Sequence, residues 1–252
     1  MSKYSSVEKI IAVMSGKGGV GKSSVASLLA VELARRGKKV GLMDTDITGP
    51  SIPTMFGVVE QKPEMGNPGI IPVRSKKLGI EIISINLLLE RPDQPVIWRG
   101  PLLSKAIQEF WDEVIWSESE VLILDLPPGT GDVPLTVMQS IPLQGVVIVS
   151  SPQDLALLIV KKAISMVHQL NKPILGLVEN MSFLTCPNCG QQIFPFGEPR
   201  GKEISSELGI PFLGCLPVDP ELSRHCDAGT IEDYKSSNSQ SLVDRLAAEP
   251  EP

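Results

Sequence analysis

The stretch that decides the fold reads Ser15-Gly16-Lys17-Gly18-Gly19-Val20-Gly21-Lys22-Ser23-Ser24. Within it, residues 16–23 satisfy G-x-x-x-x-G-K-[ST], the pattern of a phosphate-binding loop, which requires a strand before it and a helix after it. Both are predicted here, because an apolar run precedes the loop and a helical pattern follows it. The glycines let backbone N–H groups converge on phosphates, and the helix adds the positive end of its dipole. The alternative to a phosphate-binding loop is an ordinary turn before a helix. The predicted strand and helix on either side of the motif argue against that alternative.

The rest of the chain alternates continuous apolar segments with longer helical patterns, which is typical of parallel strands buried on both faces and joined by helices. The strands are predicted at 9–14, 39–43, 80–85, 121–124, 145–150, 174–179 and 211–216. The helices are predicted at 22–36, 103–116, 134–140, 154–170 and 202–208. The pattern therefore predicts an α/β fold, a doubly wound, mostly parallel sheet of about seven strands flanked by helices.

Two acidic segments follow predicted strands and are candidates for completing a nucleotide site. Asp44-Thr45-Asp46 leaves the second strand at the carboxyl edge of the sheet, where ligands of open α/β sheets bind. Asp125 ends another strand and opens Asp125-Leu126-Pro127-Pro128-Gly129-Thr130-Gly131-Asp132, which looks like a Walker B segment. We expect Lys22 to reach the β/γ-phosphates, Ser23 to bind Mg²⁺ and Asp125 to order Mg²⁺ through water. Solvated or capping turns are the alternative for both segments.

Two further predictions concern how the nucleotide is sensed and which base is bound. Gly129 offers a backbone N–H that could sense the γ-phosphate, as switch loops do. Residues 171–174 (NKPI) lack the Asp of the guanine-reading pattern N-K-x-D, so ATP is favoured. Asn180, Pro217 and Asp219 each follow a predicted strand and are candidates to border the adenine, although Asn180 could also be an ordinary turn residue.

The spacing Cys186-Pro187-Asn188-Cys189 suggests a metal centre, because two thiolates two residues apart can bind the same centre. A tetrahedral zinc or a cubane cluster each require four thiolates, and a symmetric dimer that opposes two such loops would supply them. Two rivals stay open: a zinc site within one chain that also uses Cys215 and Cys226, and a redox C-x-x-C, which would normally open a helix. Cys215 and Cys226 are otherwise expected to be inert apolar residues.

Composition narrows the classes of partner and the location of the protein. The 252 residues carry a net charge of -6 and only 4% aromatics, which argues against general binding to DNA, to anionic lipid or to single-stranded nucleic acid. No export signal and no apolar run of membrane-spanning length is visible, so a cytoplasmic protein with reduced thiols is expected. Residues 1–234 are expected to form one domain and 235–252 a polar, mobile tail that contains a short helical pattern at 241–248. Residues 57–77 are expected to form an excursion beside the sheet.

Lys17 within K-G-G-x-G-K-[ST] is the diagnostic residue of a family. The sequence resembles the deviant Walker A ATPases, which include nitrogenase iron protein, MinD and ParA, and within them the Mrp/ApbC iron–sulfur cluster carriers. The strings that carry this resemblance are 15–24 (SGKGGVGKSS), 44–51 (DTDITGPS), 98–101 (WRGP), 125–132 (DLPPGTGD), 178–182 (VENMS) and 186–190 (CPNCG). The resemblance covers roughly residues 10–220 and implies a P-loop NTPase fold of the SIMIBI type.

The resemblance also implies roles for individual residues. Lys17 would reach across a homodimer to the partner's nucleotide, Asp46 would orient or activate the hydrolytic water, and Asp44 and Asp125 would lie in the second shell of Mg²⁺. Asn180 would contact adenine. Cys186 and Cys189, with their dimer mates, would ligate one [4Fe-4S] cluster, with zinc possible in its place.

By the same resemblance, slow Mg-dependent ATP hydrolysis would be coupled to cluster transfer to apoproteins. Two departures from the family pattern matter. Residues 196–202 (FGEPRGK) replace a more glycine-rich stretch, and no long amino-terminal extension carries extra cysteines, which points to the simpler bacterial or archaeal type.

Two other functions compete with the cluster carrier. A MinD- or ParA-like positioning switch would act on membrane or DNA, but it needs a basic amphipathic tail or a basic surface, whereas this tail is acidic and ends in proline. A reductase like nitrogenase iron protein would have well-separated ligand cysteines rather than a C-x-x-C pair.

Overall fold

A computed structural model describes residues 7–46, 49, 51–89, 100–116, 119–153 and 158–248, with the backbone alone at 100–104 and 158. The strands are β1 (Lys9–Ser15), β2 (Val40–Asp44), β3 (Glu64–Met65), β4 (Ile70–Ile71), β5 (Val73–Arg74), β6 (Glu81–Ser84), β7 (Val121–Asp125), β8 (Gly145–Ser150), β9 (Ile174–Thr185), β10 (Gln192–Ile193) and β11 (Phe212–Pro217). The helices are α1 (Lys22–Arg35), α2 (Ile52–Met55), α3 (Gly100–Glu113), α4 (Asp132–Ser140), α5 (Leu158–Gln169), α6 (Gly201–Leu208), α7 (Pro220–Asp227) and α8 (Ser237–Ala248).

The core of the described chain is a parallel sheet in the order β6-β2-β7-β1-β8-β9-β11. Strands β2, β7 and β8 are buried along their whole length, as continuous apolar runs predict for a sheet covered on both faces. The seven predicted strands correspond to these seven parallel strands, so the predicted fold class is confirmed. Two short strands, β5 and β10, add antiparallel pairs to β6 and β9.

Helices pack on both faces of the sheet and bury two separate apolar clusters. One cluster includes Phe110 of α3, Val137 of α4 and Val167 of α5. The other includes Leu28 of α1 and Leu242 of α8. The sheet is therefore doubly wound, and the carboxyl ends of β1, β2, β7 and β9 meet along one edge, where a ligand site is expected.

Several element boundaries differ from the sequence predictions. Strand β9 runs to Thr185 rather than ending at 179, and it carries the chain directly to the first cysteine of the C-x-x-C pair. Helix α7 was not predicted, although Asp219-Pro220-Glu221 is a readable start signal with Asp219 as N-cap and proline at the first position. The region 57–77 contains the β3–β4 hairpin and strand β5, and thus adds an edge strand to the sheet.

The helical pattern predicted at 241–248 is confirmed, but the helix begins earlier, at Ser237, and residues 237–248 are not the mobile tail that was expected. Helix α8 packs against α1 and β11, and Leu242, Val243 and Leu246 are buried there. Of the polar residues that suggested mobility, Ser237 and Gln240 are exposed, whereas Ser239 is buried and its hydroxyl donates to Glu32 of α1 at 2.8 Å. Residues 249–252 lie outside the described residues, as do Trp98 and Arg99 of the string at 98–101.

Among the described residues, none of the helices combines the length and the apolar character that crossing a lipid bilayer requires.

Candidate nucleotide site and cysteine hairpin

The phosphate-binding loop joins the end of β1 to the start of α1. Gly19 and Gly21 have φ values of 83° and 76°, in the left-handed region that ordinary side chains avoid. A Cβ on Gly21 would also lie 2.2 Å from Nδ2 of Asn180. Lys17, Gly18 and Gly19 are exposed at the tip of the loop. The loop thus has the backbone shape and the accessibility that phosphate binding by main-chain N–H groups requires.

The Lys22 side chain lies at the base of the loop beside the acid that ends β7. Its Nζ is 2.5 Å from Oδ1 of Asp125 and 3.4 Å from the Ser23 hydroxyl. Lys22 is 6% exposed and Asp125 is fully buried, so both charges depend on each other and on any bound ligand. The structure therefore brings the predicted phosphate lysine, the predicted Mg²⁺ serine and the Walker B acid together.

Asp44 and Asp125 form a buried acidic pair at the ends of the neighbouring strands β2 and β7. Burial raises the pKa of Asp44, and the adjacent Asp125 raises it further, while Lys22 partly offsets both effects. Burial also raises the pKa of Asp125, against the opposing influence of Lys22 and Ser23. Oδ2 of Asp125 is buried without a hydrogen-bond partner in the described chain. An orphaned carboxylate oxygen beside a second buried acid fits a hydrated divalent cation such as Mg²⁺.

The segment after β2 is held against the end of β7. The Thr45 hydroxyl donates to the main-chain oxygen of Asp125 at 2.7 Å, and the Asp46 N–H donates to Oδ1 of Asp44 at 3.1 Å. Asp46 itself is half-buried at this carboxyl edge. Its role toward an attacking water stays a prediction. Residues 47, 48 and 50 of the same string lie outside the described residues.

The predicted sensor Gly129 follows β7 and has a φ of 90°. Its N–H donates to the main-chain oxygen of Ser15 at 2.8 Å, immediately before the phosphate-binding loop. The Ser15 hydroxyl in turn donates to the oxygen of Lys17 at 2.8 Å. The N–H of Gly129 is thus engaged with the loop backbone, and it would have to leave Ser15 in order to bind a phosphate.

The three candidate base-contacting residues have structural partners of their own. The amide nitrogen of Asn180 donates to the oxygen of Val20 at 2.9 Å, a contact between β9 and the phosphate-binding loop that was not predicted. Asp219 caps α7 through the N–H of Glu221 and accepts from the Tyr234 hydroxyl at 2.7 Å. Pro217 ends β11 opposite Phe183. Adenine contacts of these residues stay predictions.

The C-x-x-C pair occupies the turn of a β-hairpin formed by the end of β9 and β10. The Cys186 N–H donates to Gln191, and the Gly190 N–H donates to the oxygen of Cys186, both at 2.9 Å. Cys186 is half-buried and Cys189 is exposed. N–H groups of Asn188 and Cys189, in that order, hold the pKa of the Cys186 thiol below its usual value. A lowered pKa favours the thiolate, the form that binds metals.

An apolar surface borders this turn. Ile193, Phe194 and Phe196 are 49%, 38% and 40% exposed, and they form half of the large hydrophobic side chains that the described chain exposes. Three exposed apolar side chains within four residues make this stretch a candidate interaction surface. Ile193, Phe194 and Phe196 are called the apolar rim below.

The other two cysteines are remote from the hairpin turn. Cys215 lies in β11, where its thiol donates to Oε2 of Glu179 at 3.3 Å, and Cys226 lies in α7. Burial raises the pKa of each thiol to about 11. Nowhere in the described chain do three or more His, Cys, Asp or Glu side chains form a metal-binding group. The described residues therefore contain no single-chain zinc site with Cys215 and Cys226. The structure also disfavours a redox C-x-x-C, which normally lies at the start of a helix, because Cys186 follows strand β9.

Comparison with known protein families agrees with this geometry. A family model described as ParA, NUBPL iron-transfer P-loop NTPase, matches residues 6–249. An iron-sulfur cluster carrier protein of Clostridium perfringens is 42% identical over 244 residues, which cover 94% of this chain and 85% of that protein. A cytosolic Fe-S cluster assembly factor NUBP2 homolog of Monosiga brevicollis is 42% identical over 238 residues, 93% of this chain and 83% of that protein.

Two solved structures extend the comparison to three dimensions. A nucleotide-binding protein of Archaeoglobus fulgidus, solved in complex with ADP, superposes with a TM-score of 0.84 at 45% identity, covering 92% of this chain and 90% of its own. The MinD cell division protein of Aquifex aeolicus gives a TM-score of 0.66 at 20% identity, covering 97% and 99%. The likeness to MinD concerns the fold alone.

Proposed function

The chain belongs to the ParA family of NUBPL-type iron-transfer P-loop NTPases, and from this premise we propose that it is an ATP-hydrolysing iron–sulfur cluster carrier or scaffold. It would hold a [4Fe-4S] cluster between two copies and transfer it to apo iron–sulfur proteins. One observation carries the proposal: a nucleotide loop and an exposed, incomplete set of thiol ligands are joined by the same strand, β9.

The nucleotide half of the proposal assigns roles to the residues around the phosphate-binding loop. Main-chain N–H groups of residues 16–24 and the Lys22 ammonium bind the phosphates. Ser23 would hold Mg²⁺, and Asp44 and Asp125 would order it through water, which is consistent with the unpartnered oxygen of Asp125. When bound, Mg²⁺ neutralises charge on the transferred phosphoryl group. Asp46 orients the attacking water, and Lys17 contacts the nucleotide of the second copy, for which its exposed position is suited.

The cluster half of the proposal depends on two copies of the hairpin turn. Each chain offers Cys186 and Cys189, and a cubane cluster requires four thiolates, so two turns that face each other across a twofold axis supply the set. Covering the apolar rim in such a dimer would remove exposed hydrophobic surface from water, which supports the second copy as the occupant. Zinc could fill the same four-thiolate site.

A cytoplasmic location is part of the proposal, because thiols stay reduced there. The relative in Monosiga brevicollis is named cytosolic, which supports this assignment.

A MinD- or ParA-like switch on membrane or DNA is the alternative function. The packing of α8 disfavours its membrane version, because Leu242, Val243 and Leu246 are buried against the body and are not available to a lipid surface. The net charge of -6 disfavours the DNA version. A co-sedimentation assay with anionic liposomes and a DNA binding assay, each with MgATP, are expected to detect no binding. Nucleotide-dependent binding in either assay would favour the switch.

The experiment that tests the carrier function is anaerobic cluster transfer. Wild-type protein, reconstituted with iron and sulfide, is expected to activate an apo iron–sulfur acceptor faster with MgATP than without nucleotide. Lys22→Ala is expected to lose this acceleration because it removes the phosphate ligand. Transfer that is indifferent both to MgATP and to Lys22→Ala would contradict nucleotide-coupled carriage.

A further inference from the structure

Strand β9 connects the phosphate-binding loop to the cysteine hairpin. Asn180 contacts the phosphate-binding loop, and Cys186 begins the hairpin turn at the end of the same strand. At the rise of an extended chain, this separation is about 20 Å. Nucleotide loop and thiol pair are therefore linked by six residues of backbone.

The strand is irregular immediately after its contact with the loop. Met181 has a φ of 57°, one of two non-glycine residues with positive φ in the described chain. The other is Asn171, a residue type that tolerates this conformation, whereas methionine rarely adopts it. Glu179 pairs with Cys215 and Phe183 pairs with Pro217, so four steps along β9 match two steps along β11. Residues 179–182, called the β9 bulge below, thus contain one strained residue, Met181, at the point where the register with β11 is irregular.

The β9 bulge is tied to the phosphate-binding loop on one side. Nδ2 of Asn180 donates to the oxygen of Val20, and the amide fills the space that a side chain on Gly21 would need. A hydrogen bond of 2.7 Å from the Ser182 hydroxyl to the oxygen of Glu179 closes the bulge on itself. A shift of the loop main chain at Val20 would therefore displace the Asn180 side chain that is bonded to it.

On the other side, the β9 bulge continues into a hydrogen-bonded unit. The oxygen of Phe183 accepts from Val218 at 2.7 Å, and Leu184 and Thr185 pair with β10. The N–H groups of Cys186 and Gly190 close the turn. Because this hairpin is internally bonded, a change in the bulge would reorient it as one piece rather than dissipate within it.

We infer that the β9 bulge, centred on Met181, transmits the state of the nucleotide loop to the cysteine hairpin. The inference rests on the proposed function and names the route of its regulation. Nucleotide binding moves the Val20 carbonyl and with it Asn180. If β9 straightens, Met181 leaves its left-handed conformation, and the strain released favours this change. The straightened strand then gives Cys186 and Cys189 a different orientation. Residues with strained backbone conformations cluster at functional sites and switch regions, where the surrounding structure holds them in place.

Hydrogen exchange on the metal-free protein tests the inference without any cluster. The amides of Cys186 and Gly190 are followed by mass spectrometry with no nucleotide and with saturating Mg²⁺ and a non-hydrolysable ATP analogue. Wild type is expected to show a severalfold difference between the two conditions. Met181→Gly removes the strain because glycine adopts this φ freely, so the nucleotide-dependent difference is expected to disappear. Asn171→Gly, at the other positive-φ position, is the matched control and should behave as wild type.

A second variant covers the case in which Met181→Gly does not fold. Asn180→Ser shortens the side chain that reaches Val20, and it is measured at nucleotide concentrations where occupancy is verified directly by equilibrium dialysis. It is also expected to lose the hairpin response. Wild-type exchange that ignores bound nucleotide, or variants that keep the full response, would overturn the inference. Neither result would bear on whether the reconstituted protein carries a cluster, so the two failures are distinguishable.

Discussion

Gly21 is held by two constraints at once, its left-handed φ of 76° and the amide of Asn180 against its Cα. The sequence pattern predicts the first constraint, because phosphate-binding loops need glycine where N–H groups converge. It could not predict the second, since residue 180 reaches the loop only through the order of strands in the sheet. The same holds for Met181, whose conformation depends on the mismatch with β11 and not on local sequence.

Gly21→Ala is expected to destabilise the protein more than Gly37→Ala. Both glycines have positive φ, at 76° and 81°, but a Cβ on Gly37 would meet no atom within 4 Å. Gly37→Ala should cost about 1–2 kcal/mol for the left-handed conformation alone. Gly21→Ala should cost about 1–3 kcal/mol more because of the clash with Asn180, and it should also weaken ATP binding. Urea denaturation and equilibrium nucleotide binding measure both effects. Equal costs and unchanged binding would argue against the contact.

The thiols of the chain are expected to differ in reactivity. N–H groups lower the pKa of Cys186, whereas burial raises the pKa of Cys215 and Cys226 to about 11. Since the thiolate is the nucleophile, alkylation of Cys186 by iodoacetamide should begin at lower pH than alkylation of the other two. Peptide mass spectrometry on metal-free, reduced protein gives the rate at each cysteine. Labelling of Cys226 at the same rate as Cys186 below pH 9 would contradict this order.

At the scale of elements, the sequence predicted the regular parts of the fold well. Continuous apolar runs identified all seven parallel strands, because a sheet buried on both faces leaves little room for polar residues. The hydrophobic pattern did not predict the element boundaries that depend on tertiary contacts. Strand β9 extends past 179 because β11 and β10 pair with it. Helix α8 begins four residues before the predicted helical pattern at 241–248, and it packs against α1 and β11 instead of belonging to a mobile tail.

The packing of α8 leads to a stability prediction. Leu242 is 1% exposed, so Leu242→Ala should lower the free energy of unfolding by about 2–5 kcal/mol. Gln240→Ala, at an exposed position of the same helix, should change it by no more than about 0.5 kcal/mol. Thermal or chemical denaturation followed by circular dichroism compares the two variants. Similar small effects for both would mean that this segment behaves as the tail that composition suggests.

At the scale of the whole molecule, the account depends on a second copy. One chain has a nucleotide site with its buried acids and lysine assembled, but only two cysteines at the hairpin turn. The sequence alone predicts the need for a partner, because four thiolates cannot come from one C-x-x-C pair. The sequence does not predict the apolar rim. Its exposure depends on the pairing of β10 with β9, which the local pattern of residues 193–196 does not indicate.

Light scattering with iron analysis, on protein reconstituted anaerobically and separated by size, tests this claim most directly. The account predicts that cluster iron elutes with a species of twice the 27.2 kDa mass of one chain, and that Cys186→Ala and Cys189→Ala each lose that iron. Cluster iron on a species with the mass of one chain, or full retention of iron by either variant, would contradict it.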